Sequence, residues 1–286
     1  MVKYIKTFTP LCLVDKKRQE AFEADILAKE YIDKNSLYKC KYQKNSEIFY
    51  PVKDGLNKIY KNKCAYCETR INRAPTNIEH YRPKSIYYAL VYSWSNLLPI
   101  CDICNTKKSN KFEIEGVDVR NKIRIFTKMQ YTTKLFNRIE KPKFIHPEID
   151  NYEHLFRFNT KGEIIVYKNI PDSDRMTYTI KHSDLNENAL AQRRAKVLQD
   201  FIQIRNELFY LFKLAKKHKN KDELNHFKNS TKEKIKYFFD DTNEFLAVRK
   251  YTINRLRFFF CKLDFLFIKF FKQYLKQYIK TVKVYS

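Results

Sequence analysis

The spacing of apolar residues divides the chain into two helical ends and a middle part without a single period. Residues 15–35 place apolar side chains among charged ones at helical intervals, which predicts an amphipathic helix. Residues 47–60 predict a turn that leads into a short helix. Near the C-terminus, residues 187–217 predict one long helix, and residues 240–280 predict one or two more. Helices are therefore expected to dominate the fold.

Residues 64–112 have a different texture, because cysteines, a histidine, a tryptophan and prolines follow one another at short intervals. A segment of this kind predicts a compact core centred on a metal ion. Residues 163–168, directly after a turn at Gly162, predict a β-strand. The whole pattern predicts a mostly helical α+β fold, with a site-bearing N-terminal part over residues 1–160 and a helical C-terminal part over residues 161–286.

The composition indicates an anionic partner. The chain carries 57 lysines and arginines against 32 aspartates and glutamates, a formal net charge of +25. Nucleic acid is the leading partner for such a surplus. Hydrophobic residues make up 44% of the chain, which excludes a disordered basic tail. The three glycines argue against an all-β barrel and against a glycine-rich phosphate loop.

The sequence predicts a cytoplasmic protein without a membrane partner. The N-terminus has no apolar run of signal-peptide length. The most apolar stretch, residues 258–268, is interrupted by Lys262 and Asp264, and it is too short for a span of about 20 apolar residues. The seven cysteines are therefore expected to be reduced.

Four of these cysteines form two CxxC pairs, with 33 residues between the pairs: Cys64 with Cys67, and Cys101 with Cys104. Four thiolates complete the tetrahedral ligand set of a structural zinc ion, so we expect Zn²⁺ at this place. The alternative is a set of buried or redox-active cysteines. The other three cysteines have no partner at motif spacing and are expected to be ordinary core residues: Cys12, Cys40 and Cys261.

The segment between and after the pairs contains polar residues in a distinctive order. Glu79 and His80 stand together in IEHYRPK, Asn96 follows in WSNLL, and Asn105 and Lys108 follow the last cysteine in CNTKK. This set resembles the HNH endonuclease family, whose ββα-metal fold carries its site on such a zinc framework. It is most similar to the PtuB-type subunits of Septu anti-phage systems and of related retrons, with a core over about residues 60–115.

The resemblance implies a role for three of these residues. His80 would be the general base, since a neutral imidazole can take a proton near neutral pH. The alternatives for His80 are a zinc ligand or a structural histidine. Glu79 and Asn105 would hold one catalytic Mg²⁺ or Mn²⁺ through hard oxygen ligands. The alternative for Glu79 is an acid that orients a neighbouring side chain.

Two further residues receive roles of lower specificity. Asn96 would fix the loop of the site and orient His80, with a helix cap or turn residue as the alternative. Lys108 lies three residues after Asn105, so both could face one phosphate on the same side of a helix. The alternative for Lys108 is an ordinary solvated lysine.

The resemblance implies a DNA endonuclease that acts as the effector of an anti-phage system. Its partners would be a PtuA-like ATPase and, in retrons, a reverse transcriptase with its RNA–DNA product. Two alternatives stay open: an enzyme of the same fold that cleaves tRNA or other RNA, and a zinc-stapled nucleic-acid-binding module without catalysis. The apolar residues of 257–280 exceed what one helix face can bury, so this segment is expected to dock on the ATPase, with internal packing as the alternative.

Overall fold

The computed structural model describes residues 4–6, 42–44, 47–49, 51–71, 77–87, 90–91, 93–119, 133–255 and 265–282. The helix predicted at residues 15–35 lies outside this part of the chain. So do Cys12, Cys40 and Cys261. Among the helices that are described, none is long and apolar enough to cross a membrane.

The elements before residue 150 are short. In chain order they are β1 (Tyr42–Lys44), β2 (Glu47–Phe49), α1 (Pro51–Tyr60), β3 (Asn77–His80), β4 (Leu97–Ile100), α2 (Asp102–Lys108) and α3 (Thr133–Glu140). A 3₁₀ turn over Trp94–Asn96 leads directly into β4. β1 pairs with β2, and β3 pairs with β4, in two separate antiparallel hairpins.

The elements after residue 150 are mostly helices. They are β5 (Phe156–Phe158), β6 (Ile164–Val166), α4 (Ser173–His182), α5 (Asn188–His218), α6 (Lys221–Phe238), α7 (Leu246–Asn254) and α8 (Phe265–Val282). The chain divides into two compact units. The first unit comprises the described residues of 3–156 and 166–185, and the second comprises those of 157–165 and 186–286. The division at residue 160 that the sequence suggested stays a prediction.

The first unit contains a ββα arrangement. Strand β3 runs antiparallel to β4, with Glu79 opposite Leu98 and His80 opposite Leu97. Helix α2 begins at the second residue after β4 and packs on β3. Helix α1 covers β4 from its own apolar face, where Val52 and Leu56 are buried against Leu97. The mostly helical α+β fold predicted from the sequence is confirmed, and the strand–strand–helix order is that of a ββα core.

The second unit is built around α5, whose apolar side is covered by α6, α7 and α8. Aromatic rings fill this core: the Phe212 ring lies 5.5 Å from that of Phe227 and 5.6 Å from that of Phe267, measured between ring centroids. The β5–β6 turn also packs closely on α5. Gly162 has a φ of 77°, and a Cβ at this position would stand 2.0 Å from the carbonyl oxygen of Ala191, so a side chain does not fit.

The aromatic helix α8 belongs in part to this core. Phe267, Phe271 and Leu275 are buried, whereas Phe265 is 77% exposed. Internal packing therefore accounts for the buried side of α8. Residues 256–264 lie outside the described part of the chain, and docking of the segment on a partner stays a prediction.

Candidate functional site

The four cysteines of the two CxxC pairs meet in one cluster. Their sulfur atoms all lie within 4.8 Å of one another, and the Sγ atoms of Cys67 and Cys101 are 3.6 Å apart. Cys64, Cys67 and Cys104 are buried, and Cys101 is half-buried. The cluster was predicted from spacing alone, and the structure brings all four residues together.

Backbone hydrogen bonds explain why the two pairs meet. The amide of Cys64 donates to the carbonyl of Thr69 over 3.0 Å, which closes the first pair into a tight turn. Glu68 adopts a φ of 62° within this turn. The amide of Ala65 donates to the carbonyl of Pro99 over 2.9 Å, so the turn is tied to β4. Since Cys101 follows β4 directly, this bond places the first pair beside the second.

The chemistry of the cluster fits a zinc ion. Tetrahedral zinc with Zn–S bonds of about 2.3 Å places its sulfurs about 3.8 Å apart, close to the spacing found here. Hydrogen bonds from the other three thiols, that of Cys104 above all, lower the pKa of Cys101, whereas burial raises the pKa of Cys64. A buried cluster of this kind is stabilised when a divalent cation replaces the thiol protons. Zinc would therefore be held by Cys64, Cys67, Cys101 and Cys104.

Glu79 and His80 are neighbours on β3, so their side chains leave the strand on opposite faces. Glu79 points to α2, where its carboxylate forms an ion pair with the ammonium group of Lys108. The same ammonium group donates to the carbonyl of His80 over 3.3 Å. Lys108 is fully buried, and Glu79 is 7% exposed. Burial raises the pKa of Glu79, an effect that the charge of Lys108 opposes.

This ion pair decides how a catalytic divalent cation could bind. Asn105 is half-buried on α2, three residues before Lys108, so both residues lie on the side of α2 that faces β3. Glu79 and Asn105 therefore offer hard oxygen atoms from facing elements, which fits Mg²⁺ or Mn²⁺. One oxygen of Glu79 is engaged by the ammonium group of Lys108. A divalent cation at Glu79 would therefore share this carboxylate with Lys108 or displace it.

His80 is buried on the other face of β3. Its Nε2 atom lies 3.1 Å from the carbonyl oxygen of Val91, and the side chain is 8% exposed. Burial lowers the pKa of His80 to about 3, so the ring is neutral at physiological pH. A carbonyl oxygen can only accept a hydrogen bond, so Nε2 carries the proton and Nδ1 carries the lone pair. A neutral ring with this tautomer can accept a proton at Nδ1.

The side chain of Asn96 forms hydrogen bonds with the backbone of the loop that follows His80. Its Oδ1 atom accepts from the amide of Arg82 over 2.8 Å, and its Nδ2 atom donates to the carbonyls of Arg82 and Leu90 at 3.2 Å each. The side chain is fully buried. These bonds fix the start and the end of the loop between β3 and the 3₁₀ turn. Asn96 is therefore placed as a positioning residue for this loop, whereas a helix cap does not describe its contacts.

The buried pair of Arg82 and Glu140 was not predicted from the sequence. Arg82 is fully buried, its Nε atom donates to the Oε2 atom of Glu140 over 2.8 Å, and its Nη2 atom donates to Asn137 over 2.9 Å. Four aromatic rings lie within 6 Å of its guanidinium group: Tyr81, Tyr87, Phe112 and Phe136. The place of Arg82 two residues after His80 was a signal. No sequence pattern points to Glu140, because it lies 58 residues away from the arginine with which it pairs.

The His146 ring packs inside the first unit. The amide of Glu148 donates to its Nδ1 atom over 3.1 Å, so Nε2 carries the proton and donates to the carbonyl of Ser95 over 3.3 Å. The ring lies against Tyr81 with 4.3 Å between centroids. Burial lowers the pKa of His146 well below its ordinary value of 6.5. This ring is a neutral support behind the loop after β3.

The comparison with protein families decides what this arrangement is. A family model described as HNH endonuclease matches residues 64–111. Residues 64–111 are an HNH endonuclease domain. All nine residues singled out from the sequence lie within this domain: Cys64, Cys67, Glu79, His80, Asn96, Cys101, Cys104, Asn105 and Lys108.

Curated relatives extend the similarity beyond the HNH domain. The Septu protein PtuB of Bacillus mycoides (strain KBAB4) is 34% identical over 165 residues, which cover 52% of this chain and 51% of that protein. The Septu protein PtuB of Bacillus thuringiensis is 44% identical over 59 residues, 20% of this chain and 23% of that protein. The Septu protein PtuA of the same Bacillus mycoides strain is 29% identical over 172 residues, 56% of this chain and 22% of that protein. The chain thus spans about half the length of the first relative and less than a quarter of the other two, and over its matched half it is PtuB-like.

The cysteine cluster predicts about one zinc ion per chain, bound tightly enough to survive dialysis. Cys64→Ser should lose this zinc and melt at a lower temperature, because the free energy of a structural zinc site is folding free energy. Metal content by mass spectrometry and thermal unfolding measure both effects. Cys40→Ser, outside the two CxxC pairs, is the matched control and should keep its zinc. A zinc-free wild-type protein of the same melting temperature would contradict the assignment.

The buried neutral His146 predicts a loss of stability in acid. Unfolding returns its pKa to about 6.5, so below this pH the unfolded chain binds a proton that the folded chain does not. The stabilisation is complete above pH 6.5 and is lost as the pH falls toward the folded pKa. Between pH 6 and pH 5, His146→Gln should reduce the slope of the unfolding free energy against pH by about 1 kcal/mol per pH unit.

Urea unfolding followed by the fluorescence of Trp94 measures this slope, because Trp94 is the single tryptophan and precedes the Ser95 carbonyl that His146 contacts. His226→Gln, at an exposed position of α6, is the control and should keep the wild-type slope. The same slope in wild type and His146→Gln would show that His146 does not stay neutral in the fold.

Proposed function

We propose that this protein is a metal-dependent HNH endonuclease that hydrolyses phosphodiester bonds of DNA. The observation that carries the proposal is the pairing, on a four-cysteine ββα core, of a neutral buried histidine with a carboxylate on the adjacent residue. Hydrolysis of a phosphodiester needs a base for the attacking water and charge neutralisation at the phosphate. His80 and Glu79 offer these two chemistries from one strand.

His80 takes the proton of the attacking water at Nδ1. Its low pKa keeps the ring neutral before the reaction, and the Nε2 contact with Val91 sets the tautomer. Asn96 positions the loop that begins at Tyr81, whose amide donates to the Asn96 carbonyl over 2.9 Å. Glu79 and Asn105 would hold Mg²⁺ or Mn²⁺, which supplies Lewis-acid stabilisation of the phosphate when bound.

Lys108 has a double role in this proposal. With no divalent cation bound, its ammonium group balances the buried charge of Glu79 and keeps the carboxylate pointing toward α2. A cation held by Glu79 and Asn105 would take over this carboxylate, and the ammonium group of Lys108 would then be available to the phosphate. This role differs from that of a solvated lysine, because Lys108 is fully buried.

The similarity to Septu proteins supports a place in anti-phage defence. The chain is similar to two proteins named PtuB and to one named PtuA. We infer that it acts as the nuclease of a Septu system together with a PtuA-like ATPase subunit. Because the relatives carry Septu names, we propose a Septu system and not a retron with its reverse transcriptase.

His80→Ala should reduce DNA cleavage by about 10²-fold to 10⁴-fold, the usual contribution of a general base. The test is cleavage of supercoiled plasmid with Mg²⁺, with EDTA, and with total tRNA in place of plasmid. His154→Ala, at an exposed position, is the matched control. Wild-type cleavage by His80→Ala would contradict the base assignment, and preferential cleavage of tRNA would replace DNA as the substrate. Absence of cleavage by the wild type on either polymer would favour a binding module.

Lys108→Met should bind Mn²⁺ at least about tenfold more tightly than the wild type at pH 8, because it removes a positive charge beside Glu79. The same variant should cleave more slowly, since it lacks the ammonium group needed at the phosphate. Mn²⁺ affinity by electron paramagnetic resonance reports the first effect without reference to activity. Lys107→Met, on the exposed side of the same helix, is the control. Equal Mn²⁺ affinity in Lys108→Met and wild type would show that the lysine and the cation do not share Glu79.

A further inference from the structure

The outer face of α5 carries an unbroken row of polar side chains, which we call the α5 stripe. Its members follow one another at alternating intervals of four and three residues, the spacing that keeps side chains on one face of a helix. All of them are exposed: Gln192, Lys196, Gln199, Gln203, Asn206, Tyr210, Lys213 and Lys217. The stripe covers 26 residues, or about 38 Å of helix.

The stripe lies opposite the side of α5 that builds the core of the second unit. Val197, Phe201, Leu208 and Phe212 are buried on that inner side. The inner side therefore provides the contacts that fold the second unit. The side chains of the stripe do not take part in these contacts. The identity of the stripe residues needs another explanation.

Acidic residues are absent from the stripe. Solvated helix faces normally carry both signs of charge, arranged as pairs four residues apart. The structure describes every residue of α5, and its two acids are half-buried beside the stripe. Asp200 lies 3.9 Å from the ammonium group of Lys196, and Glu207 pairs with Lys234 of α6 over 2.6 Å.

The surplus of positive charge extends over the helical hairpin of α5 and α6. Its exposed basic residues are Arg193, Lys196, Lys213, Lys216, Lys217, Lys219, Lys221, Lys232 and Lys236, against the exposed acids Asp222 and Glu233. Some of these charges interact favourably with the helix dipoles. Lys216 and Lys217 stand in the last turn of α5, and Asp222 stands in the first turn of α6. Lys196 and Lys213 stand away from the helix ends: Lys196 lies 3.9 Å from Asp200, and the ammonium group of Lys213 lies 4.6 Å from the centroid of the Phe209 ring.

We propose that the α5 stripe is a docking surface for duplex DNA, with amide side chains over the groove and lysines on the flanking phosphates. The amides of Gln199, Gln203 and Asn206 span eight residues, or about 10 Å, close to the width of about 12 Å of the major groove. Lys196 and Lys213 bracket these amides at about 26 Å from each other. Amides read base edges and lysines neutralise phosphates.

The composition of the stripe separates duplex DNA from other occupants. A protein partner would need an apolar or aromatic centre, and the stripe has one aromatic residue, Tyr210, and no aliphatic one. A single strand would need several rings on which its bases stack. A helix with lysines on both sides of its amides suits a rigid double helix. This proposal depends on the proposed function in one respect, namely that the nucleic acid is DNA.

The experiment compares two triple variants of equal charge change in the full chain with His80→Ala, so that bound DNA stays intact. The stripe variant is Lys196→Gln/Lys213→Gln/Lys217→Gln, and the matched control on α6 is Lys221→Gln/Lys232→Gln/Lys236→Gln. Binding of a labelled 30-base-pair duplex is measured by anisotropy over a range of salt, with zinc content and thermal unfolding as controls of folding. The stripe variant should bind at least about tenfold more weakly at ~0.1 M salt, with a salt slope shallower by about 2.7. The α6 control should change the slope by less than about 1.

A neutral variant separates groove contacts from charge. Gln199→Ala/Gln203→Ala should weaken duplex binding a few-fold and leave the salt slope unchanged, because it removes amides and no charge. Alanine keeps helix propensity, so α5 should fold as before.

Several results would overturn the assignment. Equal losses of duplex affinity in the stripe variant and the α6 control would show that binding is electrostatic and not specific to the stripe. Unchanged affinity in both variants would show that the stripe does not bind DNA. Equal or tighter binding of single-stranded DNA or tRNA would exclude the duplex as the occupant. The proposed function fails in a different way: the wild type would then cleave no DNA, whereas failure of the stripe alone leaves cleavage by the wild type intact.

Discussion

The four-cysteine cluster is the constraint on which the rest of the first unit depends. One CxxC pair precedes β3 and the other follows β4, so the cluster closes a loop of 33 residues that contains His80, Glu79 and Asn96. The strands of this loop are four residues long, too short to be stable as an isolated hairpin. A metal ion at the cluster would supply the stability that so small a sheet lacks, and it would hold α2 against β3.

Buried charge is the second feature of this unit. Lys108 and Arg82 are both fully buried and both pair with a carboxylate, Glu79 in one case and Glu140 in the other. Breaking a buried pair costs more than its formation contributes, so each pair specifies one arrangement of its elements. The Arg82 pair ties the loop after β3 to α3, and the Lys108 pair ties β3 to α2. Burial keeps His80 neutral, which is the state that a general base requires.

The sequence predicted the cysteine cluster and the main helices, but it did not predict the long-range contacts. The CxxC spacing predicted the cluster, and the helical period predicted the helices that became α5 and α8. The motif around His80 led to the HNH family, which the family comparison confirms. The partner of Arg82 and the burial of Lys108 depend on packing between elements far apart in the chain, and no local pattern carries that information. The α5 stripe was hidden for a similar reason, because its absence of acids becomes visible only when the exposed face is known.

The central claim is that His80 supplies the base of a nuclease site held by the cysteine cluster. Chemical rescue of His80→Gly by free imidazole tests it most directly, with cleavage of plasmid DNA measured against imidazole concentration. The account predicts that the variant retains zinc and DNA binding, loses cleavage, and regains it in proportion to added imidazole until the cavity is saturated. Full cleavage without imidazole would contradict the account, and so would a zinc-bound, DNA-bound variant that imidazole fails to restore.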